Sequence, residues 1–188
     1  MSIRSALRSL SKTSLSFDEF IEYQKQVGSE HNDRGACLLM AANVEIALDA
    51  AIFHILKWDS STREQLVSPE GPLGTFSQKI HLGRALGIYG EQTYYNLDMV
   101  RHIRNVFAHA HRPITFETKE VKEAVFSMKP VTALPPVAKP AVPSLDTSPV
   151  TSRASFRRTC DLTAHNLMIG IWFPPPAIPL GKPPDPLP

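Results

Sequence analysis

The chain has 188 residues, of which 43% are hydrophobic, so it can bury one core and is expected to form one domain. Its formal net charge of +2 is too small to indicate nucleic-acid binding, which would have to rest on local clusters of charge. The two cysteines form neither a disulfide framework nor a zinc-binding set, and no apolar run approaches the roughly 18 residues that span a membrane.

Proline usage divides the chain into helical and non-helical parts. Of the 17 prolines, only Pro69, Pro72 and Pro113 precede residue 130. Proline interrupts helices and central strands, so the proline-poor stretches are the ones that can fold into regular elements. We therefore predict five segments: a flexible basic arm (1–15), a helical domain (16–128), a proline-rich excursion (129–150), a C-terminal helix that packs on the domain (151–173) and a proline-rich tail (174–188).

The predicted elements are all helical. Ser16 and Glu19 have the spacing of a capping box, which places the start of a first helix that ends near Gly28. Further helices are predicted over 33–57, 60–67, 75–86, from Glu91 to the region before Pro113, and over 118–128. The fold class is therefore all-α, a single helical bundle. Cys37 and Cys160 lie in apolar helical patterns, and we expect both to be reduced core residues.

The second helix carries two acids on an apolar background. Glu45 and Asp49 are four residues apart and so lie on one face, together with Leu38, Ala42, Ile52 and Leu56. Buried carboxylates cost several kcal/mol unless they are paired or protonated. The densest source of cations is the 101–112 segment, so we predict that Glu45 or Asp49 lies near Arg101, Arg104 or His109. A structural ion pair and a charged ligand pocket both account for these acids.

The stretch 98–113 reads D-M-V-R-H-I-R-N-V-F-A-H-A-H-R-P and is the most distinctive part of the chain. At about 100° per residue, one side is apolar and is expected to face the core: Met99, Ile103, Val106, Phe107 and Ala110. The opposite side is polar: Asp98, Arg101, His102, Asn105, His109 and Arg112, with Arg104 and His111 on its flank. A solvated basic face explains this pattern, but Asn and His are poor interior helix residues, which favours a specific use.

Three stretches resemble one known family. They read G-P-L-G-T-F-S-Q-K-I-H-L-G-R-A-L-G-I-Y from Gly71, L-D-M-V-R-H-I-R-N-V-F-A-H from Leu97 and P-I-T-F from Pro113. The helix L-M-A-A-N-V-E-I-A-L-D from Leu39 is also similar. Together they resemble the mannitol operon repressor (MltR-like) family of bacteria. The resemblance implies an all-helical fold and a role in regulating sugar-alcohol uptake genes. We find no helix-turn-helix in the chain.

A shorter motif resembles a second family. Arg104, Asn105 and His109 match R-N-x-x-x-H, the signature of HEPN-domain ribonucleases and toxins, which are small helical bundles that tend to dimerise. The resemblance implies acid/base chemistry by His109 on RNA, phosphate stabilisation by Arg104 and positioning by Asn105. Arg104 and His109 are about 140° apart around an ideal helix, so one active site requires their side chains to converge, or a second subunit to complete it.

These patterns lead to two functional hypotheses. The first is a cytoplasmic MltR-like regulator or non-enzymatic binding module without a cofactor, a metal or membrane binding. Its partner is a nucleic acid or a protein, and a homodimer is possible because a symmetry mate would compensate the charges of the 98–113 helix. The alternative is a HEPN-type ribonuclease or RNA-binding protein. A metal site at Asp98, His102 and His109 is disfavoured because the strip lacks tight ligand pairs and supporting acids.

Overall fold

The computed structural model describes residues 16–68, 70–132 and 151–172. The predicted N-terminal arm, most of the proline-rich excursion and the predicted tail lie outside these residues. Within them the chain forms helices and no strand, which confirms the all-α prediction. In chain order these helices are α1 (Phe17–Ser29), α2 (Asp33–Leu56), α3 (Ser60–Leu66), α4 (Phe76–Ala85), α5 (Glu91–His109), α6 (Lys119–Ser127) and α7 (Ser152–Trp172).

Local capping interactions set the helix ends. At the start of α1, the Ser16 hydroxyl accepts a hydrogen bond from the Glu19 amide at 3.3 Å, and the Glu19 carboxylate accepts one from the Ser16 amide at 2.8 Å. This confirms the predicted capping box. The helix α2 ends at Lys57, whose φ of 49° is left-handed and turns the chain out of the helix. Every predicted helix is therefore present. Most ends lie within two residues of the expected positions, whereas α5 ends at His109, three residues before Arg112, the last position before Pro113.

The helix α2 is the centre of the bundle. It packs against α1, α4, α5 and α7, and side chains on most of its circumference are buried. By length and composition alone it could cross a membrane, with a mean hydropathy of 1.8 over an 18-residue window, so the expectation that no apolar run approaches this length is wrong. That window is 61% buried inside the fold, as in the core helix of a soluble protein, so its apolar character is explained by packing.

The helix α7 runs parallel to α2 and forms the most extensive helix pair with it. At their N-terminal ends, Arg153 Nη1 lies 2.8 Å from Asp33 Oδ1. Further along, Cys37 and Cys160 are both buried and free, as expected. Burial raises the pKa of Cys160 well above its usual value, and Asp161 and Cys37 add to the shift. The C-terminal helix is thus part of the core rather than an appendage.

The buried side of α5 differs from the predicted stripe. The side chains that enter the core are Leu97, Val100, Ile103 and Phe107. Val106, which we expected to be buried, is 49% exposed. Of the predicted stripe, Ile103 and Phe107 are buried, Met99 and Ala110 are partly buried and pack against the core, and only Val106 is wrong. The reason is that α5 carries two overlapping apolar stripes. Packing against α2 buries the stripe that contains Leu97 and Val100, and this leaves Val106 exposed.

The residues just after α6 are fixed to the bundle. Asn96 on α5 donates to the Lys129 carbonyl at 2.9 Å and accepts from the Lys129 amide at 2.7 Å. The Lys129 ammonium lies over the Tyr95 ring, 5.1 Å from its centroid. Asn166 on α7 donates to the Thr132 carbonyl at 2.9 Å. The start of the predicted excursion, 129–132, is thus held between α5 and α7.

Candidate functional site

The polar side of α5 forms an exposed stripe with charged flanks. His102, Val106 and His109 are exposed and follow one another at helical spacing along it. Partly buried polar side chains flank them, and the stripe and its flanks together are the α5 face: Asp98, Arg101, His102, Asn105, Val106 and His109. Arg104 lies about 140° from His109 around the helix, on the side towards α2. Arg112 is exposed just beyond the helix end. The α5 face is therefore a polar surface with one aliphatic side chain near its middle and the Arg112 cation beyond one end.

One end of the α5 face is an interlinked trio. The Arg101 guanidinium lies 2.7 Å from Asp98 Oδ1 and donates to it through two nitrogen atoms. The same guanidinium lies 2.7 Å from His102 Nε2. Arginine only donates, so His102 Nε2 must accept and the ring must be neutral in this arrangement. Asp98 is therefore neutralised by Arg101, while its 3.4 Å approach to His102 becomes an ion pair only if that ring is protonated.

The last two turns of α5 contain the R-N-x-x-x-H residues. Arg104 Nη1 donates to Asn105 Oδ1 at 3.1 Å. Burial raises the pKa of the Cys37 thiol to about 12, and the charge of Arg104 opposes that shift, so Arg104 lies towards α2. His109 is exposed on the last turn. Among the described residues, no hydrogen bond or ion pair joins Arg104 to His109, consistent with their angular separation on the helix.

The helix end beside His109 is fixed by a residue that the sequence reasoning missed. Arg34 on α2 donates to the Ala110 carbonyl at 2.9 Å. A cation at a helix C-terminus satisfies a free carbonyl and complements the helix dipole. The position of Arg34 in the first turn of α2 gave no signal in the sequence, because its partner is 76 residues away in the chain.

The predicted partner of the two acids on α2 is wrong. The cation beside Glu45 and Asp49 is Lys79 on α4, whose ammonium lies 2.8 Å from Glu45 Oε1 and 2.9 Å from Asp49 Oδ2. The physical reason is the packing of α4 on α2, which brings Lys79 to this face in place of Arg101, Arg104 or His109. The spacing of Phe76, Lys79, Ile80 and Gly83 on the buried side of α4 was the signal that could have identified it.

One lysine serves two carboxylates in this triad. Burial lowers the pKa of Lys79, but Asp49 and Glu45 outweigh it and the net direction is upwards, so the ammonium stays charged. Burial raises the pKa of Asp49, and Lys79 only partly offsets this. The raised pKa values of Lys79 and Asp49 both fit a triad with a net charge of −1, in which one ammonium offsets one of two carboxylates. Asp49 Oδ1 is buried and has no hydrogen bond among the described residues.

The structure therefore separates the predicted polar cluster into two sites. Asp98, Arg101, His102, Asn105 and His109 share the α5 face, with Arg112 just beyond it, whereas Arg104 lies on the side of α5 towards α2. Glu45 and Asp49 belong to the Lys79 triad between α2 and α4. We interpret the triad as a structural ion network, because its cation is 9% exposed and donates to both carboxylates. The α5 face is the candidate functional site, because its side chains are open to a partner.

Comparison with known proteins supports the fold. No protein-family model matches the chain, and no curated protein matches it by sequence. Among solved structures, the fold is similar to a chain in the X-ray structure of the MtlR-HPr complex from Escherichia coli. The TM-score is 0.61 at 16% sequence identity, over 79% of this chain and 97% of that chain. This likeness supports the mannitol-repressor resemblance at the level of the fold.

Proposed function

We propose that this chain is a non-enzymatic regulatory binding module of the MltR-like type, which acts in the cytoplasm without a helix-turn-helix and binds a protein partner. The carrying observation is the α5 face, where the half-exposed Val106 lies between the exposed side chains of His102 and His109. Protein interfaces combine an apolar centre with a polar, solvent-accessible rim. The fold neighbour comes from a complex of two proteins, MtlR and HPr, which supports the same direction.

The α5 face favours a partner of complementary charge. Arg112, which is exposed just beyond the end of α5, has no acidic partner among the described residues, whereas Arg101 is already engaged by Asp98. An acidic rim on the partner would pair with the Arg112 guanidinium and speed association. HPr is the first partner to test, because the protein of the solved neighbour structure is seen with it.

Isothermal titration calorimetry with purified HPr from the same organism tests this proposal. Val106→Asp places a carboxylate at the centre of the α5 face and should weaken binding at least about tenfold, or roughly 1.4 kcal/mol. Phe126→Asp is the matched control, because Phe126 is 50% exposed on α6 and lies outside the α5 face. It should bind like the wild type. No binding by the wild type would exclude HPr, and equal loss in both variants would exclude the α5 face.

A second candidate function is a HEPN-type ribonuclease or RNA-binding protein. The observation that favours it is the placement of Arg104, Asn105 and His109 in the last two turns of α5, with Arg104 held by Asn105. Imidazole titrates near neutral pH and guanidinium matches phosphate geometry, as RNA chemistry requires. His109→Ala should then abolish cleavage of labelled RNA while leaving the melting temperature unchanged. Absence of cleavage by the wild type excludes the ribonuclease.

Nucleic-acid binding without cleavage has its own signature. Binding through arginines on phosphates weakens steeply as salt rises, because counterions are released from the nucleic acid. Duplex DNA and RNA should therefore be titrated at two salt concentrations, with the Arg101→Ala and Arg158→Ala variants as a pair. Arg158 is exposed on α7, away from the α5 face. A lower salt slope for Arg101→Ala alone would indicate a nucleic-acid partner in place of a protein.

A further inference from the structure

The short helix α3 contributes no fully buried side chain to the bundle. It has seven residues, and none of residues 61–67 is buried. Asp59 caps its start by accepting from the Thr62 amide at 2.9 Å. Helices of this length are unstable on their own in water, so α3 depends on its contacts with the rest of the protein. Arg63 supplies such a contact with α2.

Arg63 lies over an aromatic ring of α2. Its guanidinium carbon is 4.6 Å from the centroid of the Phe53 ring, which is cation–π geometry. The Trp58 ring also packs on Phe53, with 5.8 Å between the two ring centroids. Phe53 is 9% exposed, whereas Trp58 is 38% exposed. Arg63, Phe53 and Trp58 therefore form one cluster, in which Phe53 is the shared ring.

This cluster adjoins the Lys79 triad. Glu45, Asp49 and Phe53 follow one another at intervals of four residues, so they lie along one strip of α2. The charged groups that act on Asp49 come from three helices: Glu45 on α2, Lys79 on α4 and Arg63 on α3. With Arg63 included, two cations face two carboxylates, and the net charge of −1 on the triad is balanced.

Asp49 is the group whose charge can change within this arrangement. Its Oδ2 lies 2.9 Å from the Lys79 ammonium, but its Oδ1 is buried without a hydrogen bond among the described residues. Burial raises the pKa of Asp49, and the charges of Lys79 and Arg63 only partly oppose this shift. The folded protein therefore binds this proton more tightly than the unfolded chain does. As the pH falls, Asp49 is protonated while the protein is still folded.

We propose that Asp49 and Arg63 form a pH-sensitive switch that holds α3 on α2. While Asp49 is ionised, Arg63 is held by this carboxylate as well as by the Phe53 ring. Protonation of Asp49 removes the electrostatic attraction, α3 separates from α2, and Phe53 and Trp58 become more exposed. The switch lies outside the α5 face and does not depend on the partner proposed above.

Acrylamide quenching of Trp58 fluorescence tests this proposal in the full chain. Trp172→Phe leaves Trp58 as the sole tryptophan, because the chain has two. His54→Gln removes the imidazole nearest to Trp58 in the sequence, whose own titration would otherwise contribute. In this background the quenching constant should rise as the pH is lowered from about 7 to about 4, the range in which a carboxyl of raised pKa titrates.

Substitutions in the triad identify the titrating group. Asp49→Asn should show high quenching already at neutral pH and no further change on acidification. Glu45→Gln should keep the transition but move it to lower pH, because the charge of Glu45 raises the pKa of Asp49. Circular dichroism and melting curves establish that each variant is folded. A transition of unchanged size in Asp49→Asn would assign it to another group and overturn the proposal.

Substitution of Arg63 tests the other half of the switch. Arg63→Gln should raise quenching at neutral pH and abolish its pH dependence. If the two side chains act as a unit, the Asp49→Asn, Arg63→Gln double variant should change quenching as much as either single variant, about half of the sum for independent sites. Arg158→Gln, at an exposed position on α7, is the matched control and should behave like the parent.

Two further results would contradict the switch. Additive effects of Asp49→Asn and Arg63→Gln would mean that Arg63 holds α3 through the Phe53 ring alone. Quenching that is independent of pH in the parent would mean that protonation of Asp49 does not release α3. Arg63 is partly exposed, so Arg63→Gln keeps the proposal testable even where Asp49→Asn lowers stability. A pH dependence that persists in Arg63→Gln would overturn the proposal by itself.

Discussion

The ammonium of Lys79 lies 2.8 Å from the carboxylate of Glu45, joining α4 to α2 through a lysine that is only 9% exposed. The same ammonium also contacts Asp49, so this site holds two negative groups and one positive group. Such a network is costly to break, because removal of one partner leaves the others desolvated and uncompensated. The first prediction concerns this dependence.

Lys79→Met should lower the free energy of unfolding by about 2–4 kcal/mol, somewhat less than for a fully buried pair because the carboxylates remain about a fifth exposed. The loss should shrink as the pH falls, since burial raises the pKa of Asp49 and protonation of this carboxylate removes uncompensated charge. Urea denaturation at several pH values measures both effects. Lys122→Met, which breaks the exposed pair with Glu117, is the control and should change stability little. An equal effect of the two substitutions would contradict the structural role of the triad.

Asp161 should make the stability depend on pH. Burial raises its pKa to about 6, and Arg157, at 3.4 Å, opposes the shift. Because the folded-state pKa lies above the ordinary value of 3.8, the folded state binds the proton more tightly than the unfolded state. Its contribution is therefore present in full below about pH 4 and is lost as the pH rises through about 6. The side chain is still 32% exposed, so we expect a loss of about 1 kcal/mol rather than the roughly 3 kcal/mol of an unscreened shift.

Asp161→Asn is the test of this assignment. The variant should show a flatter stability profile between pH 4 and 6 than the wild type, because it removes the titrating group. Above pH 7 it should be slightly more stable than the wild type, since the cost of the buried charge is gone. Chemical denaturation across this range measures the slope. A profile as steep as that of the wild type would assign the pH dependence to another group.

Arg153 should be a main anchor of α7. Its guanidinium donates to Asp33 Oδ1 and to the His31 carbonyl, each at 2.8 Å, and also to the Glu30 carbonyl. Arg153→Ala should lower the free energy of unfolding by about 1–2 kcal/mol, as expected for charged hydrogen bonds at a partly exposed site. Arg158→Ala, at an exposed position on the same helix, is the matched control. Thermal unfolding of the two variants separates loss of this anchor from loss of positive charge.

Asn43 should be replaceable by a branched apolar residue. Its side chain is fully buried on α2, and neither amide atom has a hydrogen-bond partner among the described residues. Desolvated amides of this kind cost free energy that an apolar side chain does not. Asn43→Leu should therefore raise the free energy of unfolding by about 1 kcal/mol in urea denaturation. A marked decrease would mean that the amide makes hydrogen bonds that stabilise the native protein.

Helix positions were largely predictable from the sequence. Ser16 with Glu19 and the glycine and proline boundaries act over a few residues, so their consequences can be read locally. The α5 face was predicted in most of its members for the same reason, since helical periodicity alone places Asp98, His102 and His109 on one side. The exposure of Val106 was not predictable, because two overlapping apolar stripes fit the same helix and only packing on α2 selects one.

The sequence by itself determined an all-helical bundle, the approximate ends of its helices and the presence of a polar face on the helix that ends at His109. Only the tertiary structure decided which groups meet: Lys79 with Glu45 and Asp49, Arg34 with the end of α5, and Arg153 with Asp33. The physical reason is that capping and periodicity depend on neighbours within a few residues. Ion pairs between helices depend on which faces pack together, and that is set by burial of the whole apolar surface.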